Sequence, residues 1–315
     1  AYRRQAKTVP YDSVMVCLMR HQLLNIKQSS THESGFVLVS VIWIAGLLAV
    51  MATAFTIGIR SYTLAGRNVI QGERAQAIAD GMVMLTAYKL ASEDLLGSPH
   101  VAAGVAELCQ WSTSATVSVT IQDQGGLVDL NTASPPLIDR LLEGLGFAKP
   151  ESEALQATIR DYRDPDYDAQ TGGSEPTTYP GRKSGPKNGP FSTPEELDQI
   201  PGMTEQAFAP LARGTTVSSQ QMGIDVDRAP VELRQLLGIH GAGDPEALAL
   251  ASPSPQRVFA IDAAAELTDG SRFTRHALIA LLRQPDRPFA ILGWQQRNWI
   301  DRKAPDASPS QPCLN

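Results

Sequence analysis

Cysteine is scarce in this chain, with three among 315 residues, and no two of them form a C-x-x-C pair of the kind used for redox work or zinc ribbons. The G-x-S-x-G elbow and the H-E-x-x-H zinc signature are absent too. Gly181-Arg-Lys183-Ser184 lacks a Gly directly before the Lys and an apolar strand ahead of it, so it is no phosphate cradle. Five His are scattered, and His240, beside Gly238 and Gly241, reads as a helix-end residue. Positive charge is also short: 27 Lys and Arg against 33 Asp and Glu leave a net charge of -6. Affinity for phosphate backbones comes from clustered basic residues releasing counterions, so no nucleic acid partner is expected. These absences point away from an enzyme, while 43% hydrophobic residues suffice for one large or two modest folded domains.

What the chain does have is one long apolar run. Phe36 to Ile59 carries no charge, and as a helix it spans ~36 Å against ~30 Å of bilayer hydrocarbon. Arg20 and Lys27 precede it and Arg60, Arg67 and Arg74 follow, so the positive-inside rule does not orient it. The helical spacing continues through Val69, Ile70, Ala77, Ile78, Leu85 and Tyr88, which are expected to share one face as far as about Ala91. Such a helix is ~80 Å long, a shape suited to subunits that pack side by side in a filament.

The border Ser34-Gly35-Phe36, between a polar stretch and the apolar run, resembles a type IV prepilin leader. The resemblance implies that a prepilin peptidase cuts after Gly35 and that the new N-terminus, Phe36, is methylated. A competing reading takes Ala52-Thr53-Ala54 as an ordinary signal cleavage site. Pilins carry a Glu at the fifth mature position, where it neutralises a neighbour's terminal amine; this chain has Ser40 there. A buried unpaired amine is costly, so a subunit without that Glu fits a filament tip. Its absence marks one subfamily, protein K of the general secretion pathway, which this sequence resembles from Gly35 onward. Loss of residues 1–35 removes five basic and two acidic residues, so the remainder carries -6 - 3 = -9.

Beyond the helix, Ala115 to Gln122 alternates as a strand does, Gly125-Gly126 turns the chain, and Leu127 to Leu130 reads as a second strand of the same sheet. Val258 to Leu267, Arg272 to Arg283 and Phe289 to Gln295 read as three more, with a hairpin turn at Thr268-Asp269-Gly270-Ser271. Between these blocks, Pro, Ser or Thr stands at the start of short helices at Leu137 to Leu145, Glu195 to Ile200 and Val231 to Leu237. The phrases Val128 to Ala133 and Ile224 to Ala229 mark where this helical stretch begins and ends. The expected fold class is α+β: a long N-terminal transmembrane and amphipathic helix with a pilin-like antiparallel sheet, interrupted by an inserted helical domain. Expected boundaries are a leader at 1–35, the helix at 36–91 with 36–59 in the membrane, pilin-like parts at 92–130 and 240–297, the insert at 131–239, and a flexible tail at 298–315.

In the insert, Asp164, Asp166, Asp168 and Glu175 fall at positions 1, 3, 5 and 12 of a loop, a calcium-ligand spacing. Ala169 replaces the Gly an EF-hand needs, so a true EF-hand is excluded; a solvated acidic loop is the plain alternative. Protein K resembles this stretch in its acids and Tyr179, which implies calcium held by Asp164, Asp166 and Glu175, with Asp168 secondary. Cys17 lies in the leader, leaving Cys109 and Cys313 as a candidate disulfide or as two separate thiols. A rival function is an exported, membrane-anchored DNA-binding protein of the helix-hairpin-helix type. It rests on Leu197-Asp-Gln-Ile200-Pro-Gly202-Met and Leu130-Asn-Thr-Ala133, although Met203-Thr204-Glu205 replaces the second Gly of the phosphate nest. The protein K resemblance implies no enzyme but a minor pseudopilin at the tip of a type II secretion filament. Its implied partners are the I-type and J-type minor pseudopilins, the major pseudopilin and the prepilin peptidase. The implied location is a single pass through the bacterial inner membrane with the C-terminal part in the periplasm.

Overall fold

The computed structural model describes residues 34–95, 103–166, 168, 172–173, 185–240, 244–298 and 313. The first element, helix α1, runs from Ser34 to Leu95. Its residues up to Leu64 belong to one unit and the chain from Ala65 onward to a second. In the first unit the apolar side chains are bare: Phe36, Trp43 and Phe55 are 80%, 76% and 71% exposed, and Phe36–Asp94 contains a stretch long and apolar enough to cross a membrane. Hydroxyls on this stretch are satisfied by the helix itself, Thr53 and Thr56 each donating to the carbonyl four residues back at 2.7 Å.

In the second unit α1 packs on an antiparallel sheet of five strands in the order β1-β2-β5-β6-β7. These are β1 Ala103–Ser112, β2 Ala115–Asp123, β5 Val258–Leu267, β6 Arg272–Leu281 and β7 Phe289–Arg297. Burial in β5 alternates strictly, placing Phe259, Ile261, Ala263, Ala265 and Leu267 on the helix side. The β5–β6 turn closes as its sequence predicts: Leu267 N–H donates to Ser271 O at 2.9 Å, and Gly270 takes the left-handed backbone (φ 87°). The buried face of α1 keeps Ile78 and the half-buried Leu85 of the expected one and otherwise differs from it. Ala75, Ala79, Ala87 and Ala91 face the sheet together with Ile78, Met82, Val83 and Leu90, while Val69, Ile70 and Tyr88 are exposed. The small residues let the helix approach the sheet closely between its larger apolar side chains. Ion pairs fix its rotation, Arg275 Nε to Asp80 at 2.6 Å and Arg283 Nε to Asp94 at 3.0 Å.

Between β2 and β5 the chain leaves the sheet and builds a second core of helices: α2 Pro135–Gly144, α3 Lys149–Arg163, α4 Glu205–Gly214, α5 Val231–Leu236 and α6 Pro245–Leu250, with a 3-10 turn at Pro194–Gln199. Leu137, Leu142, Ile159, Tyr162, Leu197 and Leu237 are its fully buried centre. Pro135 and Pro136 open α2, where missing amides cost nothing; Glu151 opens α3 by accepting the Ala148 N–H at 3.1 Å. The segment expected as a second sheet strand instead forms β3 (Val128–Asp129), which pairs in parallel with β4 (Thr215–Thr216) inside the helical region. Leu127, Val128 and Leu130 are buried in the helical core, and that burial draws them away from β2.

Candidate functional site

Two places gather polar groups, one buried and one at the surface. The first is the junction where β2 runs into the helical region. Asp123, 1% exposed, accepts from Gly125 N–H at 2.8 Å and Ser254 hydroxyl at 2.9 Å, and Arg228 Nε lies 3.2 Å from its other oxygen. Burial pushes the Asp123 carboxyl above its ordinary 3.8, outweighing the hydrogen bonds and Arg228 that draw it down. Asp225 binds the same guanidinium at 2.7 Å and accepts from Ser254 N–H at 2.8 Å, so both carboxylates share one cation. The phrases that mark the start and end of the helical stretch have a common geometry: Asp129 accepts from Asn131 N–H at 2.8 Å, and Asp225 from Asp227 N–H at 3.2 Å. Gly126 is required here because a Cβ would lie 2.2 Å from the Arg228 carbonyl oxygen.

The second place is the C-terminal end of α3. Asp164 leaves the helix in extended backbone, and Asp168 N–H turns back to Asp166 Oδ1 at 3.0 Å, so three of the four predicted acids share one turn. Glu175 lies outside the described residues. Burial, then the charges of Asp166 and Asp161, pushes the Asp164 carboxyl upward. Asn188 joins the turn from elsewhere in the sequence, its Nδ2 donating to Asp166 O at 2.6 Å. Asp164 Oδ1 and Asn188 Oδ1 are both buried without a hydrogen-bond donor. Oxygens short of donors beside clustered carboxylates fit a hard cation. Among the described residues alone, no group of three His, Cys, Asp or Glu closes on a metal position.

At the remaining sequence-predicted positions, Ser40 donates its hydroxyl to Val37 O at 2.8 Å. Gly35 and Phe36 lie in the first turn of α1. Cys109 and Cys313 are joined by a disulfide with Cα atoms 4.9 Å apart, and Cys313 N–H donates to Gln110 O at 3.1 Å. Gly202 turns the chain with φ 87°, and the amide end of α4 is capped by Thr204, which accepts Ala207 N–H at 3.2 Å next to Glu205. A Ser and a Lys do meet, Lys187 Nζ lying 2.8 Å from Ser192 Oγ. The same ammonium holds both oxygens of Glu196 at 3.0 and 2.9 Å, the geometry of an ion pair and not of a general base.

Residues 119–220 match the family model for the type II secretion system (T2SS), protein K. The match covers about a third of the chain. A solved chain from the GspK-GspI-GspJ complex of the enterotoxigenic Escherichia coli type 2 secretion system has the same fold. It is 14% identical, with TM-score 0.59 over 74% of this chain and 99% of that one. No curated protein matches by sequence.

The protein K match begins within β2 and ends past β4, so it takes in Asp123, Asp129, the acids of the α3 turn and Asn188. Arg228, Asp225 and both half-cystines lie outside it. The sequence offered no short-range signal for Asn188, which stands 22 residues from Asp166. Asp123 did carry one: an Asp before Gln124-Gly125-Gly126 is a turn-former, although its partner Arg228 lies on the far side of the insert.

Proposed function

We propose that this protein K relative is a minor pseudopilin standing at the tip of a short periplasmic filament, where it starts or caps assembly and performs no chemistry of its own. Residues 36–59 cross the bacterial inner membrane once, and the rest lies in the periplasm. The prepilin peptidase removes residues 1–35 by cutting after Gly35 and methylates Phe36. The partners are I-type and J-type minor pseudopilins, whose helices lie beside α1, with the major pseudopilin below.

Ser40 carries this reading. Its hydroxyl is engaged by its own helix at Val37, so the fifth residue after the cut offers no charge to a neighbour's amine. A subunit at the tip has no such neighbour above it to neutralise. The helical region between β2 and β5 supplies bulk that would obstruct a further subunit. Calcium would be held by Asp164 and Asp166, with Asp168 and Glu175, and would supply positive charge that offsets repulsion among these carboxylates.

Filaments assembled from the full set of pseudopilins, with this chain carrying a small gold-binding tag at its C-terminus, test the placement. Label at one end of each filament supports it, and label spaced along the shaft contradicts it.

A further inference from the structure

We infer that the helical region is hinged to the sheet and undocks from it as a folded body, through a polar latch centred on Arg228, while both hydrophobic cores stay closed. The chain leaves the sheet at the end of β2 and returns at the start of β5, and these ends are neighbours, Asp123 pairing with Phe259. The helical region therefore hangs from two adjacent strand ends. Among the described residues, the core between α1 and the sheet and the core of helices share no side chain. What joins them is polar. Arg228 lies 3.2 Å from Asp123 and 2.7 Å from Asp225, and Gln122 donates to its carbonyl oxygen at 3.0 Å. The Thr216 hydroxyl donates to Gln124 Oε1 at 2.6 Å, and Asp225 N–H to Gly125 O at 2.8 Å.

An apolar contact opens only by exposing apolar surface, whereas groups of this kind exchange their bonds for bonds to water. Relative motion is the expected behaviour of two bodies joined by a polar interface. Three observations favour opening here. Gln122 Oε1 and Gln221 Oε1 are buried without a donor in the docked arrangement, a penalty that hydration removes. Burial holds the Asp123 carboxyl above its ordinary value, so its charged form gains on reaching water. On the returning segment Gln256 holds a left-handed backbone (φ 51°), disfavoured for a residue with a Cβ, and its N–H is fastened at 3.0 Å to Ser254 Oγ, which itself donates to Asp123. The strained residue thus lies in a segment that must bend. The bulk proposed to obstruct a further subunit is then a movable cap, although the hinge does not depend on that placement.

Hydrogen exchange of the whole chain in detergent, read at residue resolution and repeated at low urea concentrations below unfolding, tests this. The Asp225 N–H on Gly125 O and the Ser254 N–H on Asp225 Oδ2, at 2.8 Å each, are amides that undocking frees. They should exchange at one common rate, at least about tenfold faster than the buried amides of β5 and α2, and with a weaker dependence on urea because little apolar surface is exposed. Rates and urea dependence equal to those of β5 and α2 overturn the hinge, since the joint then opens only when everything unfolds. Unequal rates at Asp225 and Ser254 also overturn it, because they report separate fraying and not one opening. Ser254→Ala removes a hydrogen bond to Asp123 without touching the Asp225 N–H bond, and should speed exchange at Asp225 by about tenfold. An Asp225 amide indifferent to that change overturns the latch.

Discussion

Asp123 and Arg228 meet at 3.2 Å where the helical region is sewn to the sheet, and the carboxylate is all but sealed from water. Gln122 repeats the tie next door, donating to Arg228 O at 3.0 Å across 106 residues of chain. The sheet and the helical region thus share a polar joint that neither core could satisfy alone.

That joint has a pH signature. The Asp123 carboxyl titrates above 3.8 in the folded chain, so the native state takes up a proton before the unfolded state does. The stability of the parent chain relative to Asp123→Asn should therefore rise as pH falls from above the raised value to about 3.8, and level off below it. Urea unfolding of both proteins across this range checks the sign; a difference that shrinks on acidification would refute it.

Gly126→Ala should destabilise by about 1–3 kcal/mol, because the added methyl meets backbone and not a side chain able to swing aside. Gly146→Ala is no steric control, since its backbone is left-handed, but Gly189→Ala meets nothing closer than 4.0 Å and should cost far less. Equilibrium unfolding of the two variants compares close approach with open space.

Cys313→Ser should lower stability by about 2–4 kcal/mol under oxidising conditions, since the bridge closes most of the chain after α1 and ties the tail to β1. Adding reductant to the parent chain should reproduce the loss and leave the variant unchanged.

The legible parts of the fold were those with local causes. The β5–β6 hairpin announced itself through alternation on either side of a Gly-bearing turn, and the starts of α2 and α5 through Pro. Of the buried face of α1 only Ile78 and Leu85 were legible, because Ala75, Ala79, Ala87 and Ala91 carry little hydrophobic signal, while larger Val69, Ile70 and Tyr88 drew attention to the wrong side. β1 went unread because its sequence, AGVAELCQWS, lies at a sheet edge where no clean alternation is imposed. β3 pairs with Thr215 and Thr216, a partner no local pattern names. In the α3 turn the acids were legible from spacing, and Asn188 was not, since only folding brings it there.

The misjudged face of α1 gives a further test. Met84 and Tyr88 are 42% and 63% exposed on the side away from the sheet, where the proposed partner helices would lie. Tyr88→Arg should change the stability of the isolated chain by less than about 0.5 kcal/mol while abolishing co-purification with I-type and J-type pseudopilins. Equal loss of stability and partners would show only a folding defect.

The most direct test of the account is the mass, by light scattering in detergent, of this chain mixed with purified I-type and J-type minor pseudopilins from the same system. A three-chain complex holding one copy of each is the predicted result. A monomer that persists in the mixture, with the other two chains eluting separately, would contradict it.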